Sequence, residues 1–270
     1  MAAKSLLVLG LQDRLPRIPG KNFRIPPREE LRLRFAIASD GHYGQAGTEF
    51  DVLHDRMLGW LTDEKSTRGL DFTMINGDLF HDDAALLPII KEKWDRLHMP
   101  YFVSHGNHDK VDEDRWKSTW NMGWHHDFEL SGISFLILNT ADKEGKYICP
   151  DLDWTRQQLQ QKAAANALFV FMHITPFAWT KAGMACPDLT GLFAQQANLK
   201  VIFHGHDHDQ DGLKTDGLKP YLFDSHIAGN WGTPYRGYRI IEMTRGGEII
   251  SYQMNPDNQQ TVNRQAWQPA

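Results

Sequence analysis

The sequence has little of what several protein classes require. Two cysteines, Cys149 and Cys186, cannot build a disulfide framework and have no paired metal-ligand spacing. They read as two small side chains, with a single disulfide left open if the protein is exported. No Pro-, Gly- or Ser-rich linker and no break in composition divides the 270 residues, which argues for one domain. The apolar run near the start, Ser5 to Leu11, falls far short of the ~20 residues of a membrane span. It follows a single Lys4 and precedes no small-x-small cleavage site, so it reads as an edge strand or lead-in rather than a leader, and the expected compartment is the cytoplasm. Basic charge is also lacking. A formal net charge of -5 argues against a protein that holds long nucleic acid through clustered Lys and Arg. A small phosphorylated partner stays compatible with that charge, because bound cations invert it locally.

What the chain does have is 13 histidines and a repeating rhythm. Short apolar runs alternate with helical stripes. Leu33 to Ala38 reads as a strand that stops at Ser39-Asp40-Gly41-His42. Phe50, Leu53, Met57, Leu58 and Leu61 then fall on one helical face. Phe72 to Ile75 is a strand ending at Asn76-Gly77-Asp78, and Ala84 to Leu97 reads as a helix with Asp82-Asp83 in its cap region. Tyr101 to Val103 ends at His105-Gly106-Asn107-His108-Asp109. A hairpin joins Phe128 to Leu130 with Ile133 to Leu138, and a helix over Leu152 to Ala165 follows. Leu168 to Met172 ends at His173, and Val201 to Phe203 ends at His204-Gly205-His206-Asp207-His208. Two antiparallel strands, Tyr238 to Met243 and Glu248 to Gln253, close the pattern. Alternating strands and helices imply parallel sheet, and the hairpins imply mixed sheet.

The polar clusters follow the apolar runs, and in open α/β sheets the ligand crevice lies at the carboxyl ends of the strands. Asp40-x-His42, Gly77-Asp78, Gly106-Asn107-His108-Asp109, His173 and Gly205-His206-x-His208 therefore converge on one place. Carboxylate oxygen, amide oxygen and imidazole nitrogen without a thiolate suit Mn, Fe or Zn. In this order the clusters resemble the calcineurin-like metallophosphoesterases, whose signature is DxH, GD, GNH[DE], H and GHxH. The resemblance runs from Leu33 to at least His208. It implies a four-layer α/β/β/α sandwich of two mixed sheets flanked by helices, with a dinuclear metal site at the strand carboxyl ends. It divides the chain into an N-terminal extension over 1–30 and a single domain over 31–270. It assigns Asp40, His42 and His208 to one metal ion, Asn107, His173 and His206 to a second, and Asp78 to both. Two transition-metal ions, divalent or trivalent, are the implied cofactors. His108 is implied to assist the leaving group, with Asp109 orienting its ring, while a metal-bound hydroxide attacks the phosphorus without a covalent enzyme intermediate.

The substrate expected from this resemblance is a small phosphodiester or phosphomonoester, with diester preferred. The protein-phosphatase pattern GDxxDRG is absent, since Leu79-Phe80-His81-Asp82 follows Gly77-Asp78. The doubled histidine of several cyclic-nucleotide phosphodiesterases is also missing at His173. A non-enzymatic scaffold on the same fold is the alternative, and the complete ligand set argues against it. His81, His105 and His204, next to the motifs, read as supports of the ligands or as surface residues rather than as ligands, His54 and His98 as surface residues, and His226 as a candidate for the site mouth. Trp116, Trp120 and Trp124, spaced by four, read as the core face of a short helix. The sharper alternative makes them an aromatic rim, opposite a wall formed by Phe177, Trp179 and Met184.

Overall fold

The computed structural model describes residues 24–268. The expected extension over 1–30 and the apolar run Ser5 to Leu11 therefore lie, up to residue 23, outside the described residues. The rest follows from strands that bury both faces.

β1 (Leu31–Ala38) sends Leu33, Phe35 and Ile37 to one side and Ala36 and Ala38 to the other, as the two-residue period of a strand dictates. The first set meets a second sheet and the second set meets helices. Such a strand reads as a continuous apolar run, because neither face touches water. β6 (Leu168–Met172) is split the same way, with Phe169 and Phe171 facing the first sheet and Leu168, Val170 and Met172 facing helices.

β2 (Phe72–Asn76) and β3 (Tyr101–Ser104) continue from β1 in parallel, separated in sequence by α1 (Phe50–Arg68) and α2 (Leu87–Asp95). After α3 (Glu113–Trp120), β4 (His126–Leu130) and β5 (Ile133–Leu138) form a hairpin. α4 (Leu152–Gln161) leads into β6, and α5 (Pro187–Gln195) leads into β7 (Leu199–His204), both strands parallel to β5. β8 (Leu213–Asp216) and β9 (Lys219–Phe223) complete that sheet. β10 (Tyr238–Thr244), β11 (Ile249–Asn255) and β12 (Gln260–Trp267) return to the first, with β10 antiparallel to β1. The sheet orders are β12-β11-β10-β1-β2-β3 and β4-β5-β6-β7-β9-β8.

An aromatic seam holds the two sheets together. The Phe35 ring stacks on Phe72 at 4.7 Å and meets Phe135, Phe169 and Phe203 edge-on at 5.8, 5.9 and 6.0 Å. Edge-on pairs of this kind are favoured by the ring quadrupoles beyond the apolar area they bury. One apolar cluster packs α1, α2 and α3 outside the first sheet, and another packs α4 and α5 outside the second. The result is the expected α/β/β/α sandwich. No helix among the described residues is long and apolar enough to cross a membrane.

Several local expectations change. The helix over 84–97 begins as a 3-10 turn, Ala84–Leu86, capped by the Asp83 carboxylate, before α2 takes over. The Leu152 to Ala165 helix stops at Gln161. α5, the β8–β9 hairpin and the edge strand β12 have no counterpart in the sequence reading. Cys149 and Cys186 are bonded, with Cα atoms 5.8 Å apart, which ties the loop before α4 to the start of α5.

His54 is not a surface residue. It is fully buried on α1, edge-on to Tyr43, with Nδ1 against the Phe50 carbonyl at 2.7 Å. Burial lowers its pKa to about 4 and that of His204 to about 3. Between about 4 and the ordinary 6.5 the unfolded chain therefore holds a proton on His54 that the folded chain does not. Stability should fall as pH drops through that window. Replacing His54 by Leu should flatten the dependence by about 1.4 kcal/mol per pH unit, read from denaturant midpoints. An unchanged slope would show that His54 protonates without cost.

Candidate dinuclear metal centre

The expected clusters lie just beyond the carboxyl ends of β1, β2, β3, β6 and β7. At each, the strand's last pairing gives way to a turn that aims polar groups into one crevice. Asp40, His42, Asp78 and His206 have φ of 57°, 41°, 51° and 66°, the left-handed region that costs a non-glycine residue of order 1–3 kcal/mol. The strain is held by backbone bonds between the turns. Asp40 N–H donates to Gly77 O at 3.1 Å, and His42 N–H donates to Asp78 O at 2.8 Å. Gly106 and Gly205 serve close approach: a Cβ at the first would overlap the Asp78 backbone, and at the second the Ser39 hydroxyl and Asp40 carboxylate.

Three sets of donor atoms lie close enough together to hold a cation: the rings of His42, His81 and His108, and two sets that each include a carboxylate. Asp40, His42 and His208 offer ligand atoms within 4.8 Å of one another, and so do Asp78, His173 and His206. Asp78 Oδ2 lies 3.1 Å from His173 Nε2 and 3.6 Å from His42 Nε2, so one carboxylate oxygen faces a ring from each group. Its Oδ1 accepts the His108 N–H at 2.8 Å, which fixes the carboxylate's plane. Asp40 Oδ1 is 3.1 Å from His208 Nε2 and 3.7 Å from His173 Nε2, and its carboxylate also accepts the His206 N–H. His206 Nε2 and Asn107 Oδ1 are buried without a hydrogen-bond partner, and His173 Nε2 faces only the Asp78 and Asp40 carboxylates. Orphaned buried polar atoms are costly and uncommon, and a bound cation would satisfy them. The residues present therefore fit a pair of metal ions.

Protonation states point the same way. Burial lowers His42 to about 3 and His206 to about 4, leaving neutral imidazoles ready to ligate. Burial would lower His173 too, but Asp78 and Asp40 outweigh it and raise the ring to about 10. Burial also works against charge on Asp40 and Asp78, yet the histidines around them dominate and hold both carboxyls well below the usual range. A proton on His173 balances part of the negative charge of the two carboxylates.

His108 lies beside this centre, its ring 4.8 Å from His42. Its expected partner is corrected. The Asp109 carboxylate accepts the N–H groups of Phe80 at 3.0 Å and Gly106 at 2.9 Å, so it braces two turns and does not reach the His108 ring. Burial raises the Asp109 pKa well above normal. Asp82 is the residue against His108, with Oδ1 3.0 Å from Nδ1 and also 2.9 Å from Lys110 Nζ. His81 stacks on His108 at 4.5 Å, and its Nδ1 lies 3.0 Å from His42 Nδ1, where it can fix the tautomer of that ring. In the sequence Asp82 stands only in a helix cap region, and no spacing there points to His108.

His105 and His204 are buried and bonded to Asn139 and the Met172 carbonyl, behind the turns they precede. His226 is buried with its ring 4.6 Å from His208. Trp116 and Trp120 are core residues under α3 and Trp124 packs against the same cluster, which rules out the rim. Phe177, Trp179 and Met184 pack beside α5, with Phe177 and Trp179 stacked on each other and edge-on to Tyr221, so they form no site wall. The aromatics at the centre are ones the sequence did not single out: Trp231, stacked on His208 at 4.2 Å, and Tyr147, edge-on to His206 at 5.0 Å.

A family model described as calcineurin-like phosphoesterase matches residues 33–210, and the chain belongs to that family. A probable cyclic nucleotide phosphodiesterase of Psychrobacter arcticus is 23% identical over 213 residues, covering 67% of this chain and 76% of the relative. A dimetal phosphatase from Danio rerio superposes with a TM-score of 0.68 at 12% identity, covering 89% of this chain and 100% of that one. GAP50, described as the anchor in the inner membrane complex of Plasmodium, superposes at 0.67 with 13% identity, covering 88% and 89%. At such identities the structural likeness speaks for the fold.

The charge balance predicts how metal should enter. At pH 7 the proton on His173 must leave before its Nε2 can ligate. Adding Mn²⁺ to metal-free protein in weak buffer should release about one proton per chain, and affinity should weaken as pH falls. Replacing His173 by Ala should remove both the release and one of the two metal equivalents. Uptake of two ions with no proton released would contradict this arrangement.

Proposed function

We propose that the chain is a two-metal hydrolase of small phosphoesters, with diesters preferred over monoesters. The observation that carries this reading is the Asp78 carboxylate oxygen turned towards histidines of both donor groups. Asp40, His42 and His208 would hold one ion, Asn107, His173 and His206 the other, and Asp78 both. Two such cations would draw charge from the phosphoryl oxygens, orient the ester and lower the pKa of an attacking water.

The chain's own residues supply the rest. Asp82 engages His108 Nδ1, which leaves Nε2 to pass a proton to the leaving oxygen as the P–O bond breaks. His81 limits the tilt of that ring by stacking on it. Asp109 acts at one remove, by holding the turns that carry Phe80 and Gly106. No side chain is required to form a bond to phosphorus. The diester preference draws on the Psychrobacter arcticus relative, whose name gives it as a probable cyclic nucleotide phosphodiesterase.

Residues 31–270 are read as one domain, since β10 to β12 complete the sheet that β1 begins. The Cys149–Cys186 bond favours an oxidising compartment over the cytoplasm. A scaffold role is disfavoured because the seven candidate ligands and His108 are all present.

Bis(p-nitrophenyl) phosphate and p-nitrophenyl phosphate, compared with Mn²⁺ and with chelator, test the reading. Chelator-sensitive turnover with the diester faster is expected; no turnover of either by protein holding two metals would sink it. A His108→Ala variant should lose about 10²–10⁴-fold in kcat on an alkyl ester. On p-nitrophenyl esters it should lose much less, because that leaving group departs without a proton. Equal losses on both would assign His108 a role other than proton donor.

A further inference from the structure

Two exposed aromatic side chains stand over the candidate ligands, one on each donor group. Trp231 is 43% exposed although its ring stacks on His208 and lies 5.1 Å from His42. Tyr147 is 37% exposed and edge-on to His206. Only three other large apolar side chains among the described residues are so exposed, and none is aromatic: Val52, Ile89 and Leu218.

Both aromatics are held in place rather than loosely displayed. On either side of Trp231, the Ile227 and Ala228 N–H groups donate to Ser39 O and Asp40 O at 2.8 and 3.0 Å, and Thr233 N–H donates to His208 O at 2.8 Å. The Arg236 guanidinium donates to Gly229 O at 2.9 Å, and a Cβ at Gly232 would overlap His208, so the loop lies flat against the centre. Tyr147 sits in a small loop closed by Ile148 N–H to Thr140 O at 3.0 Å, two residues before the bonded Cys149. A rigid aromatic face loses little freedom when a planar ring stacks on it.

We propose that Trp231, with Tyr147 against the ligand His206, binds a planar aromatic ring carried on the substrate's ester arm. This rests on the phosphoester reading and narrows it, setting nucleobase or aryl esters apart from glycerol-type esters. One face of Trp231 is covered by His208; the exposed remainder is the platform. A glycerol or sugar arm alone offers it no π face to stack on. Stacking of one base on one aromatic side chain changes affinity by about tenfold.

The test uses the full chain loaded with Mn²⁺, in a His108→Ala background that slows turnover, with affinities read by calorimetry. AMP and phenyl phosphate carry an aromatic ring, and ribose 5-phosphate does not. Both aromatic probes should bind about tenfold tighter than ribose 5-phosphate if any planar ring suffices; AMP alone should do so if the platform is matched to a nucleobase. Trp231→Ala should erase that advantage and leave ribose 5-phosphate unchanged, while Trp231→Phe should retain most of it. Equal binding of all three probes would overturn the proposal. So would a Trp231→Ala variant that weakens all three alike, since that would mean the indole only supports His208. Loss of phosphoester turnover in the parent protein, with Trp231-dependent AMP binding intact, would count against the hydrolase and not against the platform.

Discussion

Two carboxylates, Asp40 and Asp78, are buried in one crevice, and the neighbourhood is built around the cost of keeping them there. Neither reaches water, and like charges in a dry site raise each other's energy steeply. Each is held ionised by imidazoles, with His173 lying 3.1 Å from one and 3.7 Å from the other. The parallel order of β1, β2 and β3 brings the two acids side by side, and the parallel pair β6 and β7 brings the histidines across from the second sheet. The aromatic seam around Phe35 keeps the sheets in register, so the charge cluster depends on apolar packing well away from it. Left-handed φ at Asp40, His42, Asp78 and His206 is the local cost of aiming so many groups at one point.

Much of this was readable in the sequence, for a definable reason. Strands buried on both faces are written as unbroken apolar runs, and their carboxyl ends are where polar clusters interrupt them. Asp40, Asp78, Asn107, His173 and His206 all sit at such interruptions. The resemblance of those clusters to a family signature then supplied the pairing of ligands and the two-sheet architecture. What escaped was whatever depends on long-range packing. β12 is a half-exposed edge strand whose polar residues give no apolar signal. His54 looks like a surface residue until Tyr43 and Trp94 are seen closing over it. Asp109 follows His108 in the chain, but the turn directs its carboxylate to backbone amides and leaves Asp82 to meet the ring. Trp231 and Tyr147 lie outside every motif and reach the centre only through the folding of their loops.

The layers around the centre divide the work. In the proposed mechanism the carboxylates and imidazoles would hold the positive charge and His108, braced by Asp82 and His81, would handle the proton, while Trp231 and Tyr147 lie half-exposed against the ligands. The Cys149–Cys186 bond links the Tyr147 loop to the start of α5, so a covalent tie stabilises that loop.

Two ions sharing Asp78 in this crevice would account for every feature of the centre. Anomalous diffraction from crystals grown with Mn²⁺, collected on either side of the manganese edge, tests that arrangement most directly. Two manganese peaks about 3.5–4 Å apart are expected, with the Asp78 carboxylate between them. A single peak, or two peaks of which Asp78 touches only one, would contradict it.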